Sequence, residues 1–287
     1  MKINKSQIIK YYDSCEIDYK LIWHLNKCLA MHFGYWDRKA HNLSQALERE
    51  NEVLAEKADI KKSDVVLDAG CGVGGSSIFL AKRFGCKATG VTLSQKQVSS
   101  ARENAKRNGV ESLTTFYEMD YLNTSFVDNS FDVVWAIESV CHADNKKRFV
   151  TEAFRLLKKG GRLIIADNFA SKDNYNVQED KLMEKWLNGW GINFLETSHD
   201  FENYSKNAGF NKISFSDITK NVMPSSKRMY LHSLPALFLG KVAEFVGVRT
   251  KVQTGNIFSA YYQHKVLRKG LCKYGIFYAE KGHISKR

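Results

Sequence analysis

Between residues 63 and 167 short apolar runs alternate with longer amphipathic ones. Runs at 64–68, 86–91, 113–118, 131–137 and 161–167 have the length and composition of strands. Segments 76–84, 94–108 and 145–158 repeat their apolar residues at helical spacing. Strand followed by helix, repeated, predicts a parallel sheet with right-handed crossovers. Residues 1–62 read as helices, through Ile8, Ile9, Tyr11 and Tyr12, then Leu21, Ile22, Leu25 and Leu29, then Leu43, Ala46, Leu47, Val53, Leu54 and Ala58. After 167 the alternation weakens. Asp200 to Ala208 reads as a helix capped by Asp200 and closed by Gly209, and Ile213 to Ile218 and Tyr274 to Ala279 read as strands. Residues 222–270, which hold both prolines (Pro224 and Pro235), are helical but irregular and too long for a plain loop. The expected organisation is one compact unit: a helical cap over 1–62, a core over 63–219, a cap insertion over 220–270, and a last strand with its tail over 271–287.

Composition narrows the class. With 287 residues, 44% hydrophobic and 26% charged, the chain suits one large globular domain with a cap. No stretch is long and apolar enough to span a bilayer, and Met1-Lys2-Ile3-Asn4-Lys5 opens on polar sequence. The six cysteines are scattered without Cys-x-x-Cys, so neither zinc nor a disulfide framework is suggested, and a cytoplasmic location is expected. The net charge of +12 is concentrated at the end: thirteen Lys and Arg between 220 and 287 face only Glu244 and Glu280. Such a segment suits nucleic acid, an anionic membrane surface or an acidic substrate. Leu234, Leu237, Phe238, Val242, Phe245 and Val246 fall near one another on a helix with Lys241 beside them. Either they lie at a lipid headgroup layer or they pack on the chain's own core.

The candidate chemistry sits at strand ends. Val65 to Ser77 is an apolar run, Asp68, then Gly70, Gly72 and Gly74, then a helix start at Ser76: the geometry that sets a nucleotide-like ligand against a helix N-terminus. The spacing Gly-x-Gly-x-Gly is not the Gly-x-Gly-x-x-Gly of dinucleotide binders. The second strand ends in Thr92, where most nucleoside-binding sheets carry an acid, and Ser94 can cap the helix that follows. Asp120 follows the third strand. Glu138 and His142 follow the fourth, where a carboxylate can favour a cation and a histidine can take a proton. Asp167 ends the fifth and can orient His142, contact a substrate or cap a turn. His32-Phe33-Gly34-Tyr35-Trp36, ahead of the glycine turn, reads as core or as a pocket lid.

Val-Leu-Asp-Ala-Gly-Cys-Gly-Val-Gly resembles the S-adenosylmethionine (SAM) loop of class I methyltransferases. Gly90-Val-Thr-Leu-Ser-x-x-Gln97 and Ala136-Ile-Glu-x-x-Cys-His-Ala143 resemble the sterol 24-C- and tocopherol-type group, with likeness also to cyclopropane synthases and glycoside O-methyltransferases. The resemblance implies a Rossmann-like α/β fold, a seven-stranded sheet whose last strand runs antiparallel. It implies SAM contacts from Tyr35, Asp68, Gly70, Cys71, Gly72, Gly74, Thr92, Leu93, Gln97, Asp120, Tyr121, Ile137, Glu138 and His142. Glu138, His142 and Asp167 would serve catalysis, and no metal is needed. The implied acceptor is small and lipophilic, methylated at carbon, or alternatively at O or N; Tyr35 or Trp36 would shelter a carbocation by cation–π contact. An RNA methyltransferase is the lesser reading, since no RNA-binding motif accompanies the basic tail, and a SAM-binding subunit without activity is a third.

Overall fold

The computed structural model describes residues 3–23 and 25–282. Lys286 and Arg287 of the basic tail lie outside the described residues, as do Met1, Lys2 and the side chain of Leu21.

The core is built of β1 (Val65–Ala69), α4 (Gly75–Phe84), β2 (Lys87–Thr92), α5 (Gln95–Arg107), β3 (Thr114–Glu118), β4 (Phe131–Ile137), α6 (Lys146–Leu156) and β5 (Leu157–Ala170), followed by α8 (Ser198–Ala208), β6 (Phe210–Asp217) and β7 (Cys272–Lys281). The seven strands lie in the order β3-β2-β1-β4-β5-β7-β6. The first five are parallel, and β7 inserts antiparallel between β5 and β6. The expected seven-stranded Rossmann-like sheet with an antiparallel last strand is therefore present. The order reverses between β1 and β4, so the crevice at their carboxyl ends is the place for a ligand. Val66, Val133, Trp135 and Ile164 bury against one face of the sheet, and Leu67, Val134, Leu163 and Ile165 against the other. That alternation explains why these strands read as nearly continuous apolar runs.

Local chemistry sets the helix ends. Ser94 caps α5 through the Gln97 N–H, as expected. Asp200, read as a cap, is instead the third residue of α8: Thr197 is the cap, and the two side chains form a reciprocal capping box. Gly209 closes that helix with φ 103°. Strand β5 begins before the expected 161: it runs from residue 157 through Gly160 and Gly161, with Gly160 at φ 72°.

The cap departs most from expectation. It comprises α1 (Lys5–Ile22), α2 (Leu25–Cys28), α3 (Leu43–Lys57), α7 (Val177–Leu187), α9 (Thr219–Phe245) and α10 (Lys251–Arg268). Pro224 and Pro235 both sit inside α9, a 27-residue helix, and α7 lies where no element stood out in the sequence. Gly189 joins α7 to α10 at close quarters. A Cβ there would stand 2.3 Å from both the Gly255 carbonyl oxygen and the Ser259 hydroxyl. Gly189→Ala is therefore expected to cost about 1–3 kcal/mol by overpacking. The cost should show as a lower urea midpoint at unchanged slope; an unchanged midpoint would contradict this helix contact.

Candidate active site

The glycine turn follows β1. Gly70, Gly72 and Gly74 all have positive φ (92°, 51° and 89°), which side chains resist. A Cβ on Gly70 would fall 2.4 Å from the Ser139 Cβ, so that glycine permits β1 and β4 to end side by side. Ser139 reinforces the contact by donating to the Ala69 carbonyl at 2.6 Å. Asp68 is buried and accepts the Ser77 hydroxyl at 2.7 Å; burial pushes its carboxyl up to about 6. Thr92 and Gln97, both read as ligand contacts, face each other across 2.5 Å at the cleft wall.

This cleft is lined by Asp68, Gly70, Cys71, Gly72, Thr92, Leu93, Gln97, Tyr121, Ile137, Glu138 and His142, all named from the sequence. Three predicted contacts are not among its walls. Gly74 turns toward Ala101 and Phe116 and caps α4. Tyr35 packs on the main core behind the cleft. The carboxylate of Asp120 is spent on the Leu122 N–H and on Lys5. Residues of the N-terminal segment line the cleft as well: Ile8, Ile9 and Tyr12 of α1, and Met31 and His32 of the loop after α2. The Nε2 of His32 is buried with no partner among the described residues, while its Nδ1 lies 2.6 Å from Glu50. An orphaned polar atom in the cleft wall, beside a glycine turn, suits a polar ligand such as the methionine end of SAM.

The turn after β4 is tightly held. Glu138 adopts φ 46°, a strained value for a non-glycine residue and one that recurs at functional sites. Its Oε1 accepts the Phe33 N–H at 2.6 Å and the Tyr274 hydroxyl at 2.9 Å. The same hydroxyl lies 2.6 Å from Glu50. One hydroxyl proton cannot serve two carboxylates at once. Burial, with the nearby charge of Glu50, holds Glu138 well above the usual carboxylate range, so its neutral form is favoured.

His142 is fixed at both nitrogens. Its Nδ1 lies 3.2 Å from the Gly191 carbonyl, which can only accept, so this nitrogen carries the proton in the neutral ring. Its Nε2 then accepts from the Tyr12 hydroxyl at 2.7 Å. Burial lowers the imidazole to about 4. Lys146 holds the turn from below: its buried ammonium donates to the carbonyls of Cys141, Ala143 and Phe194 at 2.8–3.0 Å. Asp167, a candidate for orienting His142 or touching substrate, does neither. It accepts the Cys141 N–H at 2.9 Å and lies outside the cavity walls. It is a positioning residue, with its carboxyl raised by burial to about 6.

Beyond this turn a second cavity of about 260 Å³ opens under α1, α9 and α10. Tyr11, Tyr19, Trp23, Phe33 and Trp190 form its aromatic walls. Trp36, expected to shelter a cation, instead donates to Ser225 outside this chamber. Asp18, hydrogen-bonded to Arg249 and Asn256, makes one polar region in it, and His232 also lines it. Four residues line both cavities: Tyr12, Met31, Glu138 and His142. Of the two missed by sequence, Tyr12 had been read only as one of the apolar residues of the first helices. No pattern marked its hydroxyl.

Comparisons with known proteins agree with this geometry. A methyltransferase-domain family model matches residues 67–165, from the strand before the glycine turn through β5. The chain is 29% identical over 224 residues to a 27-O-demethylrifamycin SV methyltransferase of Amycolatopsis mediterranei, covering 78% of this chain and 80% of that one. It is 35% identical over 179 residues to a sterol 24-C-methyltransferase of Neurospora crassa, covering 61% of this chain and 46% of that one. Its fold matches that of a cyclopropane synthase from Mycobacterium tuberculosis with a TM-score of 0.81, at 15% identity over 97% of this chain and 99% of the other. With the glycine turn, the sheet order and the paired cavities in place, the chain is a SAM-dependent methyltransferase with the class I fold, and its cofactor is SAM.

Proposed function

We propose that the chain methylates a small lipophilic acceptor held in the aromatic chamber, with carbon as the favoured atom. The observation that carries this reading is the shared wall: Tyr12, Met31, Glu138 and His142 separate a polar, glycine-lined cleft from an aromatic one. The sterol C-methyltransferase among the relatives, by its name, acts on an acceptor of this class.

When bound, SAM supplies a methyl group on a sulfonium, an electrophile that needs alignment more than activation. Asp68, Thr92, Gln97, Tyr121 and the orphaned His32 Nε2 are the groups that would hold it, with Gly70 and Gly72 leaving the backbone open. Glu138 responds to charge. Neutral with no cation beside it, it gives up its proton to solvent when a cation lies nearby, and its carboxylate then favours that cation.

The acceptor loses its proton to the Tyr12–His142 pair. The Tyr12 hydroxyl passes its proton to His142 Nε2 and takes one from the acceptor. The imidazolium so formed keeps its Nδ1–H on Gly191. A base lowered to about 4 is poorly matched to a neutral alcohol. It suffices for the acidic proton beside a carbocation, which is why carbon is favoured. The aromatic walls shelter that cation. Methylation at oxygen is the second reading; the 27-O-methyltransferase named among the relatives favours it.

Two measurements test this assignment. Gly72→Val puts a β-branched residue at φ 51° in the cleft wall. The folded variant is expected to lose SAM binding by calorimetry; unchanged affinity would overturn the assignment of the loop. Methyl-labelled SAM incubated with the chain, a host lipid extract and host RNA is expected to yield a labelled lipophilic product identified by mass. His142→Ala should slow that transfer by about a hundredfold with SAM affinity nearly unchanged. Label in RNA alone, or normal turnover by the variant, would contradict the proposed acceptor or base respectively.

A further inference from the structure

Twelve large apolar side chains stand exposed among the described residues, and eight of them fall between Leu231 and Val248. They range from 44% exposed at Leu234 to 91% at Phe245, with Phe238 at 73%. The alternative that they pack on the chain's own core therefore fails for all but Leu237, which is half-buried. A patch of this kind on one short segment marks a surface that meets another apolar phase.

Its charge says which. Between 219 and 268 the hairpin of α9 and α10 carries eight Lys and Arg, and its one acid is Glu244. Glu244 is tied to Lys241 at 3.3 Å. Facing it on α1, Asp18 is neutralised by a two-pronged pair with Arg249, and Glu16 by Lys20 and Lys96. Lys227, Lys241 and Lys251 remain exposed. We infer that the α9–α10 corner docks on an anionic lipid bilayer, with Phe238, Phe245 and Val248 in the headgroup layer and the lysines at its phosphates. A second copy of the chain fits less well. A two-fold pairing would set the same patch against itself and bring its exposed lysines, Lys241 and Lys251, toward their own copies.

The inner side of the same helix completes the picture. Met229, His232, Ser233 and Ala236 of α9 line the aromatic chamber, and His232 is itself exposed, so that chamber approaches the surface beside the patch. Docking would present this side of the chamber to the lipid. That consequence rests on the proposed lipophilic acceptor; docking does not.

The test is sedimentation of the full chain, without cofactor or acceptor, with vesicles of phosphatidylcholine alone and of phosphatidylcholine mixed with phosphatidylglycerol. Phe238 and Phe245 line neither cavity, so a Phe238→Ser/Phe245→Ser variant leaves the reaction site intact. Expected is binding to the anionic vesicles at least tenfold stronger than to the neutral ones, with a further tenfold loss in the variant at unchanged circular dichroism. Binding indifferent to lipid charge, binding that survives the double substitution, binding to RNA but not to vesicles, or a dimer that the variant dissolves with no vesicle binding would each overturn it. Methyl transfer to a solubilised extract would stand or fall separately.

Discussion

Two buried carboxyls share one phenol at the centre of this protein. Glu50 of α3 and Glu138 at the end of β4 both lean on the Tyr274 hydroxyl of β7. Glu50 also accepts the Gly34 N–H, and Glu138 the Phe33 N–H, each within 2.8 Å. Chain segments more than two hundred residues apart thus meet over a single polar cluster. Burying such a cluster is costly unless each group is satisfied. Here satisfaction requires the N-terminal arm, the switch point of the sheet and its last strand to be in place together. The cap is therefore not an ornament on the core: the cofactor cleft has its second wall only when the arm at 32–34 is pinned.

That arrangement divides the labour. The sheet supplies the fixed parts, namely a glycine turn whose missing side chains admit a close ligand and a turn after β4 locked by Lys146 and Asp167. The helical cap supplies the chamber, the Tyr12 hydroxyl and the polar region around Arg249. The proposed chemistry lies at the seam, where four residues belong to both cavities. Buried titratable groups gather at and around it: Glu138 raised and His142 lowered to about 4 on the seam itself, Asp68 in the cleft wall and Asp167 behind the turn, both raised to about 6. Burial is the leading cause in all four, and such clustering marks sites of chemistry.

Much of the core could be read from sequence because its signals are local. An apolar run, an acid, glycines and a helix start within thirteen residues define β1, its turn and α4. Glu138 and His142 stood out because a charged residue and a histidine at a strand end break the apolar pattern. The cap was harder for a physical reason. In α9 apolar residues point to both the chamber and the surface, so no single face shows, and two prolines disguise its continuity. Tyr35 and Trp36 were drawn to the site by their neighbourhood, yet the residues that line the cavities from that segment are His32 and Phe33. Nothing local distinguishes them, because their roles depend on Glu50 and Glu138, far away in sequence. Asp167 occupied the right strand end but serves the Cys141 backbone, a distinction only the turn's geometry reveals.

On this account Glu138 is a protonated carboxyl without a cation beside it and a carboxylate when a cation lies in the cleft. Calorimetry of SAM binding in buffers of different ionisation enthalpy, near neutral pH, measures it directly. Net release of protons is expected for the wild-type chain, and markedly less for Glu138→Gln. Proton-neutral binding by the wild type, or equal release by the Gln variant, would contradict it.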